Sequence, residues 1–244
     1  VKIMKTHSDF KEYRIEEFIY KGKHAKIVFP DKFGSGKKWI FKTEYFGAFP
    51  EFEEAMLKKG YAVINIENET RWCKPSDTER QNDFIKHVIK KYDLNSKGAL
   101  CGMSCGGMQA IYLGAKHSKH IACIYLDAPV VNRLSCPCAV GRNPEPMYEE
   151  MKKATGWTVK ELLSSREEPL DYLDKLVRNK IPCILVCGDS DNTVPYDENG
   201  INVTKKYRKS NVPFELFIKK GCDHHPHGLE SCEPIVDFVE KNYL

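Results

Sequence analysis

Residues Gly102-Met103-Ser104-Cys105-Gly106 set a serine between two glycines, each two positions away, where an apolar run gives way to a helix-like one. A serine hydroxyl is a weak nucleophile unless a base takes its proton as it attacks. A sharp, strained strand-to-helix turn would push that hydroxyl out above a sheet. Small residues on both sides would let strand and helix approach closely. The amide of Cys105 would then point, with the helix N-terminus, at the oxyanion of a tetrahedral intermediate. The plainer reading is a glycine-rich turn with a capping serine, so the partners decide.

The base for such a serine is an imidazole, and a carboxylate must hold its tautomer and stabilise the imidazolium. Both residue types occur downstream, each just past an apolar run. After Cys183 to Cys187 comes Gly188-Asp189-Ser190-Asp191-Asn192-Thr193-Val194-Pro195. After Phe214 to Ile218 comes Lys220-Gly221-Cys222-Asp223-His224-His225-Pro226-His227. Asp191, at the loop tip, is favoured as the acid over Asp189, which stands nearer the strand end and would hold the loop together. Asp127, in the run YLDAPV, is a third candidate whose plainer reading is a cap or substrate-loop residue. His224 is favoured as the base because it follows a glycine and a short loop. His225 and His227 flank Pro226 and would pack or bind substrate.

The clustered histidines also raise the question of a metal, with Cys136 and Cys138 as further ligands. A Cys-x-Cys spacing beside grouped histidines matches no recognised zinc pattern, so no metal and no cofactor are expected. The second oxyanion donor is sought in Glu44-Tyr45-Phe46-Gly47, as a backbone amide of Tyr45 or Phe46.

The elements that must carry these residues follow from the hydrophobic pattern. Tyr13 to Tyr20 and Ala25 to Phe29 read as a hairpin around Lys21-Gly22-Lys23, and Lys38 to Tyr45 as a third strand. Pro50 to Lys59 has proline near its start, acidic residues in its first turn and Gly60 beyond, which are helix signals. Asp77 to Tyr92 carries Phe84, Ile85, Val88 and Ile89 at helical spacing. Strands at Tyr61 to Ile66, Ala99 to Met103, Ile121 to Leu126, Cys183 to Cys187 and Phe214 to Ile218 alternate with helices at Gly106 to Ala115, Asn199 to Arg208 and Pro234 to Asn242. Continuous apolar strands between helices indicate an α/β fold with a mostly parallel central sheet covered on both faces. Residues 132 to 180, with helical stretches at Met147 to Lys153, Val159 to Leu163 and Leu170 to Arg178, read as a small helical cap inserted over the sheet. Residues 1–244 are thus read as a single domain with one insertion.

Whole-chain properties narrow the function. Hydrophobic residues make up 41% of the 244, enough for a sizeable core. The net charge of +4 is small and scattered, so no nucleic-acid partner is expected. No apolar run approaches the roughly 20 residues of a membrane span, and no signal-peptide pattern is visible at the start. Of the 10 cysteines, Cys101, Cys123, Cys183 and Cys187 fall in apolar runs, where they act as small hydrophobes. That usage suits a reducing compartment, so a cytoplasmic location is expected.

The runs WIFKTEYFGAFPEFEEAMLKKGYAVINI, GMSCGG, IYLDAPV, VCGDSDNTVPYDEN and KKGCDHHPHGL together resemble the α/β-hydrolase superfamily. The branch is that of acetyl xylan esterase-like and prolyl oligopeptidase-like hydrolases, and the likeness runs from about Trp39 to the C-terminal helix. It implies a Ser104–Asp191–His224 triad, no cofactor, an acyl-enzyme mechanism and ester substrates such as acetylated oligosaccharides. The chain departs from the pattern at the TEYFGAF loop, where a glycine-rich oxyanion loop is usual, and in the Cys- and Pro-rich stretch after DAPV. Two other readings compete. A peptidase would use the same triad, but no propeller-like segment that filters peptides is seen. A ligand-binding protein on the same fold would usually lack one triad member, and here each has a candidate.

Overall fold

The computed structural model describes residues 6–140 and 146–243. Part of the expected insertion, residues 141–145, and the first residues of the N-terminal stretch, 1–5, lie outside the described residues.

β1 (Arg14–Tyr20) and β2 (Lys23–Phe29) form the opening hairpin. Its turn places Lys21 and Gly22 at φ of 48° and 78°, the left-handed pair that matches the twist of two antiparallel strands. β3 (Trp39–Lys42), β4 (Ala62–Ile66), β5 (Gly98–Met103), β6 (Ile121–Asp127), β7 (Cys183–Gly188) and β8 (Phe214–Lys219) are parallel to one another. β2 runs antiparallel against β4, so the eight strands stand in the order β1-β2-β4-β3-β5-β6-β7-β8. This mostly parallel sheet with helices on both faces is the α/β-hydrolase fold that the resemblance implies.

β4, β5, β6 and β7 are buried along their whole length, which explains their unbroken apolar runs. Their side chains alternate between two cores. On one face Leu100, Ile124 and Leu185 meet Phe84 and Val88 of α2 (Pro75–Tyr92), Ile111 of α3 (Cys105–Lys116) and Val203 of α7 (Gly200–Tyr207). On the other, Cys101, Tyr125 and Val186 meet Phe52 and Met56 of α1 (Glu51–Lys58) and Ile235 and Val239 of α8 (Glu233–Asn242). Between β6 and β7 lie α4 (Pro146–Thr155), α5 (Val159–Ser164) and α6 (Pro169–Arg178). α6 packs Leu173 and Leu176 into the first core, like any helix covering the sheet. α4 and α5 instead join Trp72, Cys105 and Met108 in a third cluster at the end of the sheet, beside the start of α3. These two short helices are the part of the expected insertion that stands near the site.

One strand is shorter than its sequence suggests. The run Lys38 to Tyr45 looks like strand throughout, yet β3 ends at Lys42. Beyond it Thr43 keeps one backbone bond to the sheet, its N–H donating to the Cys101 carbonyl at 3.1 Å. Its hydroxyl then reaches the Gly106 carbonyl at 2.7 Å, and Tyr45 turns to a φ of 54°. The chain must curl over the end of β5 at this point, which no β-propensity of threonine or tyrosine can reveal. Lys42 itself is fully buried, its ammonium 2.5 Å from Glu53 of α1.

Candidate active site

Ser104 sits between β5 and α3 at φ 51° and ψ −119°, outside the regions a side-chain-bearing residue ordinarily adopts. Such a conformation costs about 1–3 kcal/mol and survives only where the surroundings impose it. Here they do. The Ser104 N–H donates to the Asp127 carbonyl at 2.9 Å, and the Ser104 carbonyl accepts from Gly107 and Val130 at 3.0 Å each. A Cβ on Gly102 would lie 2.6 Å from the Gly106 carbonyl oxygen, so the close approach of strand and helix requires glycine there. Cys105 opens α3, and its amide belongs to the first helical turn, which has no carbonyl four residues back to bond.

His224 approaches from the loop after β8, with Nε2 3.1 Å from Ser104 Oγ. Its Nδ1 donates to Asp191 Oδ2 at 2.8 Å, from the loop after β7. The other oxygen of Asp191 accepts the amides of Thr193 at 2.9 Å and Val194 at 2.7 Å. Burial favours the neutral acid, but the hydrogen bonds from His224 and these amides outweigh it and hold the carboxyl below its ordinary range. Asp223 accepts the amides of Asn192 and His224, tying the two loops to each other. Asp189 accepts the Gly221 amide at 2.6 Å, which is the loop-holding part read for it in the sequence.

Asp127 and His227 form a second acid–imidazole pair. The His227 Nδ1–H donates to Asp127 Oδ1 at 2.7 Å, while Oδ2 accepts the Tyr125 hydroxyl and the Gly228 amide, both at 2.7 Å. Burial opposes the charge on Asp127, but His227, Lys219 and Tyr125 together keep its carboxyl below the ordinary range. Asp127 therefore serves His227, not His224. His225, on the open side, stacks on Phe49 with ring centroids 5.4 Å apart. Cys136 and Cys138 stay apart from the histidines, in the apolar cluster of Trp72 and Met151.

A cavity of about 260 Å³ opens onto Ser104, His224, His225 and His227, walled by Tyr45, Ala48, Phe49, Met103, Arg71, Met147 and Thr193. Sequence reasoning brought Tyr45 here and missed Arg71, Phe49 and Met147. Arg71 grips Glu150 of α4 with two nitrogens, Nε lying 2.8 Å from Oε1, and Trp72 Nε1 donates to the same oxygen at 3.1 Å. Beneath the loop at Tyr45 runs a partly buried polar network. Gln109 Nε2 donates to Glu44 at 2.6 Å and to the Arg71 carbonyl at 3.1 Å, and Asn68 Nδ2 donates to Glu44 and to Gln109. This network fixes the loop carrying Tyr45 to the helix that begins beside Ser104.

No curated protein sequence matches the chain. Its fold is similar to that of several solved structures at identities that speak for the fold alone. A truncated form of a carbohydrate esterase from gut microbiota aligns with a TM-score of 0.69 at 16% identity, over 98% of this chain and 99% of the other. A bifunctional GH43-CE protein from Bacteroides eggerthii gives 0.71 at 19% identity over 90% of this chain, and dipeptidyl peptidase 4 from Porphyromonas gingivalis gives 0.70 at 17% over 98%. The chain spans only 36% of the length of each of these last two. The sequence model of the prolyl oligopeptidase family matches residues 73–243, which hold Ser104, Asp191 and His224. On that match over more than half its length, the chain belongs to the prolyl oligopeptidase family of serine hydrolases.

Proposed function

We propose that the protein is a serine esterase that removes short acyl groups, acetyl above all, from carbohydrate-like alcohols. The observation that carries this reading is the run of contacts Asp191–His224–Ser104, at 2.8 and 3.1 Å, ending on a strained turn that faces a cavity. His224, its tautomer held by Asp191, takes the proton of Ser104 as Oγ attacks the ester carbonyl carbon. The carbonyl oxygen becomes an oxyanion and receives the backbone amides of Cys105 and Tyr45. His224 then gives its proton to the leaving alcohol, and an acyl group remains on Ser104. Water, losing a proton to His224, attacks that ester and frees the acid.

The cavity favours a small acyl group: about 260 Å³ is below the usual range of drug-sized sites, roughly 300–1,000 Å³. The end-to-end likeness to a carbohydrate esterase supports the same choice. The peptidase reading keeps its claim through the fold shared with a dipeptidyl peptidase. Eight of the ten cysteines are buried, where they pack as small hydrophobes, and this usage supports a reducing compartment. The test compares initial rates on p-nitrophenyl acetate and acetylated xylo-oligosaccharides with rates on proline p-nitroanilides, using Ser104→Ala as control. Faster turnover of the anilides than of every ester would overturn the proposal.

A further inference from the structure

Three imidazoles meet at the mouth of the cavity. The rings of His224, His225 and His227 stand nearly perpendicular to one another, with centroids 4.8, 5.0 and 5.0 Å apart. One ring nitrogen of each lies within 4.8 Å of the other two. The reaction proposed above uses only the first of these rings.

We propose that His224, His225 and His227 together bind a divalent transition-metal ion, and that the bound ion inhibits the enzyme by occupying the catalytic imidazole. The inhibitory half rests on the esterase reading; the binding half does not.

Zinc bonded to imidazole at about 2.0–2.1 Å in a tetrahedral site would hold ring centroids about 5 Å apart. The observed spacing already meets that requirement. The coordinating nitrogens themselves would stand about 3.4 Å apart in such a site, so the rings must turn inward by about an ångström. His225 is placed to make that turn. It is exposed, and neither ring nitrogen has a hydrogen-bond partner among the described residues.

The two buried rings are prepared in the manner of metal ligands. Each gives its Nδ1–H to a carboxylate, His224 to Asp191 and His227 to Asp127. That arrangement fixes the tautomer, leaves the lone pair on Nε2 and makes the ring a better donor. His224 Nε2 accepts the Ser104 hydroxyl, whose oxygen at 3.1 Å, or a water in its place, completes the four ligands. Imidazole donors select zinc, copper, nickel and cobalt over magnesium and calcium, which take oxygen. No redox or covalent step is involved: the ion displaces a hydrogen bond and removes the lone pair that would have taken the serine proton.

The experiment is a Co²⁺ titration of folded Ser104→Ala protein, read by the visible bands of four-coordinate cobalt, with competition by Zn²⁺. The expected result is one cobalt per chain, displaced by zinc, with affinity at least about tenfold weaker in His225→Ala and in His227→Gln. Mg²⁺ should neither bind nor compete. A Cys222→Ser, Cys232→Ser protein, which removes the two cysteines that are not fully buried, should bind cobalt unchanged. In the wild-type enzyme, micromolar Zn²⁺ should suppress ester turnover, chelator should restore it, and His225→Ala should need more zinc for the same suppression. His225 is exposed, so its variant folds, and thermal melting checks His227→Gln. Absence of four-coordinate bands, unchanged affinity in folded His225→Ala, or loss of binding in the cysteine variant would each overturn the site. A protein that hydrolyses no ester but still binds cobalt through these rings would sink the esterase reading and leave the metal site standing.

Discussion

The Asp127 carboxylate receives the Nδ1–H of His227 at 2.7 Å, and so repeats across the cavity the pairing of Asp191 with His224 at 2.8 Å. The two pairs differ in surroundings. Asp127 ends the strand beside the one that carries Ser104, is wholly buried and holds three donors at once.

Asp127→Asn keeps the shape of that side chain and removes its charge. Leaving a buried donor without its acceptor costs about 1–3 kcal/mol, and the asparagine's NH2 group faces at least one of the three donors that the carboxylate accepts, so a loss in that range is expected. The folded carboxyl lies below its ordinary value of 3.8, so its contribution is complete above the unfolded value and fades as pH falls through the folded one. Urea unfolding of wild type and variant should therefore show a full gap at pH 7 and pH 5 that closes below pH ~3.9. A gap independent of pH would mean that packing, not charge, is lost.

Ser104→Ala should abolish ester turnover, by about 10⁴-fold or more, and leave the melting temperature within the range of a surface change. Asp191→Asn should cost about 10³–10⁴-fold in kcat with little change in KM, because the imidazole loses its tautomer and its counter-charge in the transition state only. A fluorophosphonate probe should label wild type and not Ser104→Ala. Comparable labelling of both would place the nucleophile elsewhere.

The sheet was legible because its central strands are buried on both faces and so read as unbroken apolar runs, while β3 looked longer than it is because Thr43 and Tyr45 are strand-like residues used in a loop. Ser104 announced itself through two glycines whose need is steric and local. The histidines were harder. His224 and His227 both lie in an irregular loop, where spacing carries no direction, and only the fold shows which carboxylate each one meets. Arg71 could not be found in the sequence at all: in the polar stretch Glu67 to Lys74 it looks solvated, and its partner Glu150 lies 79 residues on. Lys42 misleads in the same way, since a strand-end lysine is ordinarily exposed, yet this one is buried against Glu53.

Gly188 closes β7 just ahead of the loop of Asp191, and a Cβ there would stand 2.1 Å from the Cys222 carbonyl oxygen and 2.8 Å from that of Asp223. Neither neighbour is a flexible side-chain end, so the two loops that carry Asp191 and His224 must separate to admit a methyl group. Gly188→Ala is expected to lower kcat by about 10²-fold through a displacement of His224 on the order of 1 Å. It should also destabilise the protein by about 1–3 kcal/mol. Steady-state kinetics and urea unfolding of the variant check both; wild-type kcat would show that the loops are not coupled through this contact.

Arg71 and Trp72 both bond Glu150, so a single carboxylate ties α4 to the wall of the cavity, with Met147 one turn away on the same helix. Part of this contact is solvent-exposed, and exposed pairs contribute about 0–1 kcal/mol, so Glu150→Ala should barely alter stability. Its effect should fall on binding. With α4 released, Met147 no longer bounds the acyl space, and KM for acetyl esters should rise about three- to tenfold while kcat holds, as for lost uniform binding. Longer acyl chains should suffer less, because a looser wall admits them. Kinetics on a series of p-nitrophenyl esters from acetate to octanoate measure this directly. Equal losses along the series would show that α4 does not limit the acyl group.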